Sequence, residues 1–391
     1  MQIAERMHRI GTESAFEVAA RARALEAQGK PMIHLEIGEP DFDTPVHIRQ
    51  AATAALEAGF THYSPAAGIP ELREALAQHI GAKRGLEVDP GHVIVTPGAK
   101  PIMFYTILAL CDPGDQVIYP TPGFPIYESM INFIGAEAIP LQLSEHRGFR
   151  FDIQELEQLC SSRTRLLILN SPHNPTGGAL TAGDLQRIAE LAVEHDIVIL
   201  ADEIYSDLVY EGEHHSILQI PGMMERTVLL DGFSKTYAMT GWRLGYGLFP
   251  APLVPHISRL IINSVSCTST FSQKAAVAAL TGPGEEVAHM VEAFHRRRDL
   301  IITGLNKIPG LSCIWPQGAF YAFPNISNTG MDSREYADYL MHEAGVAVLP
   351  GTAFGAFGEG YIRISFANSE DNLREALKRI DAANRALLHR V

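Results

Sequence analysis

A lysine that follows an apolar run has the most informative chemical surroundings in the sequence. Lys235 comes after the run TVLLDGF, next to Ser234 and ahead of Arg243. An amine at the end of a buried strand is partly desolvated, which lowers its pKa and favours imine formation with an aldehyde. The neighbouring hydroxyl and guanidinium are suited to a phosphate group. An isolated lysine would be interpreted as a surface residue in a turn, but these neighbours favour a reactive amine.

Two other apolar runs also end in polar residues. The run IVILA leads into Asp202 and Tyr205, and the run RLLILN leads into Asn174 in a turn rich in Pro and Gly. A carboxylate can keep a pyridine nitrogen protonated, and a phenol can hydrogen-bond the oxygen O3' of such a ring. The amide of Asn174 can donate to the same oxygen or to a substrate carboxylate. Taken alone, Asp202 could cap a helix and Tyr205 could simply pack, but the order of the three motifs favours one shared site.

The region that holds these motifs has the pattern of an α/β protein. From about residue 93 to residue 248, short apolar runs alternate with segments of helical periodicity. Residues 166–169 and 197–201 are apolar at every position, as in strands that helices cover on both faces of a largely parallel sheet. Open sheets of this kind bind ligands at the carboxyl ends of their strands. We therefore expect the site at that edge.

The length and the flanking segments predict two domains. A chain of 391 residues is too long for one ordinary domain, and its ends lack the strong strand–helix alternation of the centre. The C-terminal part has helices with a few short strands. We predict an N-terminal arm with part of a small domain over 1–45, a large domain over 46–284, and a small C-terminal domain over 285–391.

Composition and charge exclude several classes of function. The formal net charge of -14, with no basic run longer than Arg296–Arg298, disfavours binding to nucleic acid or to an anionic membrane. We expect the arginine triplet on a solvated helix face. The four cysteines are far apart, which favours a reducing compartment and makes the cytoplasm the expected location. No apolar stretch approaches the roughly 20 residues that a membrane span requires.

Three histidines could suggest a metal site, but their spacing does not support one. His173 and the pair His214 and His215 form no H-E-x-x-H motif and have no cysteine nearby. We expect solvent-facing loop histidines, and we predict no metal.

The order of the strand motifs resembles the class I aminotransferases of the fold-type I pyridoxal 5'-phosphate (PLP) superfamily. The motifs N-P-T-G, D-E-x-Y and S-K-x-x-x-x-x-G-x-R follow one another as they do in that family, which is hard to obtain by chance. Further matches are GEPDF at 38–42, Tyr63, Gly68 with PELR at 70–73, and Arg363 in YIRISFA. The resemblance covers nearly the whole chain. It implies an α/β fold with a mostly parallel central sheet flanked by helices and a smaller α/β domain, in a homodimer with shared active sites.

The resemblance also implies roles for individual residues. Lys235 forms the internal aldimine with PLP, Asp202 pairs with the pyridine nitrogen, and Tyr205 binds O3' together with Asn174. For the substrate, Arg363 grips the α-carboxylate, which Gly38 also approaches through its backbone. The remaining cofactor contacts implied by the resemblance are Phe124 against the ring and, around the phosphate, the helix start at Gly98, Ala99 and Lys100, then Ser234, Arg243 and Tyr63 from the neighbouring subunit.

The activity implied by the resemblance is transfer of an amino group from an L-amino acid to a 2-oxo acid by a ping-pong mechanism, with Lys235 as the base. Lys100 matches the lysine that aspartate-specific relatives use for the distal carboxylate, which favours aspartate or glutamate with 2-oxoglutarate. Phe16 stands where those relatives carry a small hydroxyl residue, which favours apolar side chains. Both substrate preferences stay open. A PLP-dependent carbon–sulfur β-lyase on the same fold is the alternative.

Overall fold

The computed structural model describes residues 1–389, which form α-helices and strands around one large sheet. The α-helices are α1 (Ala15–Glu26), α2 (Val46–Glu57), α3 (Pro70–Arg84), α4 (Lys100–Leu110), α5 (Ile126–Ile134), α6 (Ile153–Leu159), α7 (Ala182–Glu194), α8 (Phe233–Thr236), α9 (Val254–Ser264), α10 (Thr270–Thr281), α11 (Glu285–Leu305), α12 (Ser333–Tyr339) and α13 (Glu370–Leu388). The strands are β1 (Ile33–His34), β2 (Val93–Thr96), β3 (Gln116–Thr121), β4 (Glu137–Gln142), β5 (Thr164–Asn170), β6 (Val198–Asp202), β7 (Thr227–Gly232), β8 (Gly245–Leu248), β9 (Tyr321–Ala322), β10 (Val346–Ala347), β11 (Leu349–Pro350) and β12 (Ile362–Ser365).

The central sheet has seven strands in the order β2-β8-β7-β6-β5-β3-β4. Strands β7, β6, β5, β3 and β4 are parallel, and β8 runs antiparallel to both of its neighbours. Asn170 lies in register with Asp202, which in turn lies in register with Leu230. The carboxyl ends of β5, β6 and β7 therefore meet at one edge, as the sequence predicts, and β7 runs directly into α8.

Both faces of this sheet are covered at its centre, which explains why residues 166–169 of β5 and 198–201 of β6 are apolar at every position. Leu167 and Leu169 of β5 point to one face and share a core with Ile188 of α7. Leu166 and Ile168 point to the other face and join a second core that includes part of α4. Alternate residues of a strand point to opposite faces, so a strand buried on both sides must be apolar throughout.

The two ends of the chain pack into a second unit beside the large sheet. Strand β1 pairs in parallel with β10, and β11, β12 and β9 form an antiparallel sheet. One buried cluster joins Ile33 and Leu35 to Phe294 of α11, Ile362 of β12 and Ile380 of α13. This packing agrees with a small domain built from both ends. The boundaries 1–45, 46–284 and 285–391 remain a proposal, and the last two residues lie outside the described part of the chain.

The expectation that the arginine triplet lies on a solvated face is wrong for two of its members. Arg296 is exposed, but Arg297 and Arg298 are buried on α11. Arg297 donates to both carboxylate oxygens of Asp41, at 2.6 and 3.0 Å. Successive residues of a helix point about 100° apart, so three in a row cannot share one face, and α11 has neighbours on two sides.

The expectation that the loop histidines face solvent is also wrong for His173 and His214. The His173 ring is buried beside the Thr176 hydroxyl, and burial lowers its pKa to about 3. The His214 ring is 2.9 Å from the Glu203 carboxylate, with its side chain 8% exposed. The segment around Gly318 covers the turn that holds His173, because the backbone N–H of Gly318 donates to the carbonyl of Gly177. These two histidines are therefore buried although they lie in loops.

Two features of residues 1–389 bear on other classes of function. No helix in that range is long and apolar enough to cross a membrane. The same residues contain no group of three or more His, Cys, Asp or Glu side chains arranged to hold a metal ion.

Candidate active site

A cavity of about 390 Å³ opens at the carboxyl ends of β5, β6 and β7, a volume typical of small-molecule sites. It brings together nearly all of the site residues predicted from the sequence. Those that line it are Gly38, Ala99, Lys100, Phe124, Asn174, Asp202, Tyr205, Ser234, Lys235, Arg243 and Arg363.

Lys235 lies on α8, the short helix that follows β7. Its Nζ donates a hydrogen bond to the carbonyl oxygen of Gly38 at 2.7 Å and lies 5.7 Å from the centre of the Phe320 ring. Burial lowers the pKa of Lys235 to about 8, although the Glu39 carboxylate opposes the shift. A larger fraction of this amine is therefore neutral, and hence nucleophilic, at pH 7 than for an ordinary lysine.

Gly38 is required by the close approach of a tyrosine ring. A Cβ atom at Gly38 would lie 2.1 Å from the hydroxyl oxygen of Tyr321. The absence of a side chain lets the Gly38 carbonyl reach Lys235 while Tyr321 fills the space behind it.

Asp202 ends β6 with its carboxylate in the cavity. Tyr127 donates its hydroxyl proton to Oδ2 at 2.5 Å, and the backbone N–H of Ile204 donates to Oδ1 at 3.2 Å. Burial raises the pKa of Asp202 to about 7, against the opposing effect of the Tyr127 hydrogen bond. A cation placed beside Asp202 would hold the carboxylate in its charged form.

The two adjacent acids of this motif serve different environments. Glu203 points away from the cavity and accepts a hydrogen bond from buried Arg84 at 2.6 Å. Burial opposes ionisation of Glu203, but the charges of Arg84 and His214 outweigh it and lower the pKa to about 2. At the end of β6, Asp202 thus lies in the cavity, and the next residue, Glu203, lies in a buried ion pair.

Arg363 extends from β12 into the cavity, where it is almost fully buried. Its Nη1 donates to Oδ1 of Asn174 at 3.0 Å, and its Nη2 donates to the carbonyl of Glu36 at 2.6 Å. The guanidinium packs over the Tyr321 ring, 4.4 Å from its centre. Within residues 1–389, Nε of Arg363 has no hydrogen-bond partner. A buried donor of this kind is costly to leave unpaired, so it is suited to an anionic ligand.

Tyr205 and Tyr321 form a linked pair at the same wall. Their hydroxyl oxygens are 2.8 Å apart, and both rings are buried. Tyr205 sits three residues after Asp202, as the D-E-x-Y motif predicts. Asn174, whose oxygen accepts from Arg363, keeps its Nδ2 group available to donate.

The opposite end of the cavity carries positive groups suited to a phosphate. Helix α4 begins at Lys100 after Ala99, so its first backbone N–H groups have no capping side chain from that residue. Gly98 has a φ of +87°, and a Cβ there would lie 2.1 Å from Nη2 of Arg243. Gly98 is thus behind the cavity wall rather than in it, and its lack of a side chain makes room for the guanidinium.

Tyr63 is not brought into this cavity by its own chain. It is 88% exposed and lies in a separate surface depression with Phe60 and residues 267–271. The resemblance assigns Tyr63 to the site of the neighbouring subunit, and its position outside its own cavity is compatible with that role.

The lining residues that were not predicted from the sequence include Glu13, Tyr127 and Tyr321. A signal for Tyr127 was present, because it lies three positions after Phe124 in the segment TPGFPIY, which leads into α5. No sequence pattern indicated Glu13 or Tyr321, because the residues that they contact are distant in the chain. Glu13 forms an ion pair with Lys100.

Comparison with a solved structure defines the class of protein. The aspartate aminotransferase of Thermus thermophilus, solved with maleate, is 40% identical and superposes with a TM-score of 0.93, covering 98% of this chain and 100% of that one. The protein is therefore an α/β enzyme of the fold-type I aminotransferase class, and the predicted fold class is confirmed.

Sequence comparisons identify the family. The model described as aminotransferase class I and II matches residues 30–380. An aspartate aminotransferase of Pyrococcus abyssi is 41% identical over 91% of this chain and 92% of its own length. An aromatic-amino-acid aminotransferase of Thermococcus litoralis is 40% identical over 97% of this chain and 98% of its own length.

The chain belongs to the class I and II aminotransferase family and is an aminotransferase, which confirms the predicted activity. The β-lyase alternative is not favoured. The family uses PLP.

Proposed function

We propose that this cavity binds PLP and transfers an amino group from an L-amino acid to a 2-oxo acid, with Lys235 as the essential lysine. The observation that carries the proposal is the meeting, in one cavity, of Lys235 with a pKa of about 8 and the buried carboxylate of Asp202. The start of α4 and Arg243 add an anion site. An amine, a carboxylate for a ring nitrogen and an anion site are the groups that PLP needs.

PLP, when bound, supplies an aldehyde that bonds to amines and a cationic ring that withdraws electrons from the substrate Cα. Asp202 would hold the ring nitrogen protonated, and Tyr127 would keep that carboxylate oriented through the 2.5 Å hydrogen bond. Tyr205 and the Nδ2 group of Asn174 would donate to O3'. The phosphate would rest on the backbone of Ala99 and Lys100 at the start of α4 and on Ser234 and Arg243, with Gly98 making room for the Arg243 guanidinium and Phe124 against the ring.

Arg363 and Lys235 would have different roles at the substrate. Arg363, oriented by Asn174 and by the carbonyl of Glu36, would bind the α-carboxylate and so place the Cα hydrogen near Lys235. Lys235 would hold that proton on Nζ and then release it, acting as base and then as acid. The lowered pKa supports this role because a neutral amine is needed to accept the proton.

Both substrates of a ping-pong enzyme must fit one pocket in turn. Lys100 is a cation at the wall of the cavity, which supports a dicarboxylic 2-oxo acid such as 2-oxoglutarate as the acceptor. The relatives named above are described as acting on aspartate or on aromatic amino acids, and we propose amino donors of these kinds.

The proposed assembly is a homodimer in the cytoplasm. Exposed Tyr63 and Phe60 form an aromatic surface that a second copy would cover, with Tyr63 reaching the partner's phosphate site. Free cysteines at positions 111, 160, 267 and 313 support a reducing compartment.

The experiment is an absorbance titration of the PLP-loaded protein with amino acids, one at a time. Conversion of the bound cofactor to pyridoxamine phosphate, with release of the 2-oxo acid, is the expected result. Lys235→Ala should lose the conversion, whereas Lys307→Ala, which removes an exposed lysine outside the cavity, should keep it. Release of a 2-oxo acid together with ammonia, without conversion of the cofactor, would instead indicate a lyase.

A further inference from the structure

Glu13 is held at the cavity wall by anchors on both sides. Before it, the backbone N–H of Gly11 donates to the hydroxyl of Ser129 on α5 at 2.8 Å, and Arg9 donates to the carbonyl of Asn132 at 3.0 Å. After it, helix α1 begins at Ala15 and buries Val18. The Glu13 side chain is only 18% exposed. The position of this carboxylate is therefore fixed by the fold rather than by a mobile terminus.

The Glu13 carboxylate is paired with Lys100, the lysine proposed above for a distal carboxylate. Lys100 also lies over the Phe124 ring, with Nζ 5.3 Å from its centre. The other cations that line the cavity have tasks at the cofactor or at the α-carboxylate. Of the other lining acids, Asp202 is assigned to the cofactor ring and Glu39 accepts a hydrogen bond from the Thr240 hydroxyl. Lys100 and Glu13 are thus the ion pair left for the substrate side chain, and together they present no net charge.

Apolar groups share the cavity with this pair. Phe16, Met103 and Phe124 line the same cavity, and Met103 is one helical turn after Lys100 on α4. An uncharged side chain can pack on these groups without disturbing the ion pair. A carboxylate entering the same space meets a lysine that is already neutralised and an acidic group of its own sign.

We propose that Glu13 is a specificity-determining residue because it holds Lys100 in an ion pair. Uncharged side chains bind with the Glu13–Lys100 pair intact. Dicarboxylates bind only by displacing Glu13 from Lys100. This inference rests on the proposed function. It assigns the pocket to two substrate classes. Amino acids with apolar or aromatic side chains bind in one half of the reaction, and dicarboxylic 2-oxo acids bind in the other. The cost of opening the pair lowers the affinity for the dicarboxylate.

The first test compares Glu13→Gln with Glu17→Gln. Glu13→Gln keeps the size of the side chain but removes the competitor for Lys100, so the ratio of kcat/KM for aspartate to that for phenylalanine should rise about tenfold. Glu17 is exposed on α1 outside the cavity, and Glu17→Gln removes the same charge, so that ratio should stay at the wild-type value. A ratio that is unchanged or lowered in Glu13→Gln would overturn the proposal.

The second test measures binding of maleate, a dicarboxylate with no amino or oxo group, by calorimetry on the PLP-loaded proteins. Glu13→Gln should bind maleate about tenfold more tightly than the wild type, and this gain should vanish in the background of Lys100→Met. A gain that persists without Lys100 would show that Glu13 acts only by general repulsion, contrary to the proposal. Because maleate cannot react, failure of this test is distinct from failure of transamination itself, which would appear as no cofactor conversion with any amino acid.

Discussion

At the residue scale, the cavity combines groups whose charges are set by burial. Lys235 has its pKa lowered to about 8 and Asp202 has its pKa raised to about 7, both chiefly because the pocket removes them from water. An amine that is partly neutral near physiological pH can attack a carbonyl and accept a proton. These shifts lead to a pH-dependent prediction.

The rate at which PLP attaches to the apoprotein should rise with pH through about 8 and then level off. Only the neutral amine attacks an aldehyde, and a lowered pKa moves its appearance down from the ordinary value of 10.5. Stopped-flow absorbance at a series of pH values measures this rate, with a free alkylamine as the control. A midpoint for the protein equal to that of the control would contradict the burial of Lys235.

Arg363→Lys should raise KM for every amino acid by about a hundredfold, with little dependence on the side chain. The guanidinium is held by two hydrogen bonds and leaves Nε for a ligand, and an ammonium cannot reproduce that geometry. Steady-state kinetics with an acidic and an aromatic donor measure the effect. Arg374→Lys, which changes an exposed arginine on α13, should leave both KM values unchanged. A loss confined to the acidic donor would place Arg363 at the side chain rather than at the α-carboxylate.

At the scale of elements, α3 supports the strand ends that carry the site. Arg84, at the end of α3, pairs with Glu203 after β6 and lies 3.9 Å from Asp231 of β7. Lys83, one residue earlier, pairs with Asp207. These contacts tie β6 and β7, which present Asp202 and Lys235, to one helix.

Arg84→Met should lower the free energy of unfolding by about 3–5 kcal/mol, because it leaves the buried Glu203 carboxylate without its strongest partner. Thermal and denaturant unfolding monitored by circular dichroism measure the loss. Arg187→Met breaks only exposed ion pairs, with Glu190 and Glu157, and should have a much smaller effect on stability. Equal effects of the two substitutions would contradict the view that the buried pair holds the strands.

The sequence predicts elements well where the pattern is local. The apolar runs of β5, β6 and β7 and the turn residues after them are sufficient to predict the sheet and the edge that carries the site. Burial of Arg297 and His173 could not be predicted, because it depends on Asp41 and on the segment around Gly318, which are distant in the chain. The ion pair between Glu13 and Lys100 could not be predicted for the same reason, although Lys100 itself was predicted as a site residue.

At the scale of the whole molecule, the proposed homodimer depends on the position of Tyr63. The tyrosine is 88% exposed and outside its own cavity, although the family resemblance assigns it to the cofactor phosphate. In a two-fold symmetric dimer, each chain would supply Tyr63 to the other site.

Coexpression of Lys235→Ala with Tyr63→Ala should therefore restore activity. The heterodimer would have one site with Lys235 and Tyr63 both intact, so an equal mixture should regain about a quarter of the wild-type activity. Lys235→Ala with Arg243→Ala is the matched control, because both side chains line one cavity in a single chain and no intact site can form. Activity no higher than in that control would show that Tyr63 does not serve the partner.

The most direct test of the central claim is to find which lysine carries PLP. The loaded protein is reduced with borohydride, digested and analysed by mass spectrometry, with Lys235→Ala treated in parallel. We expect the added mass on the peptide that contains Lys235 and on no peptide of the variant. Attachment at Lys100 or another lysine, or the same labelling in Lys235→Ala, would contradict the account of the site.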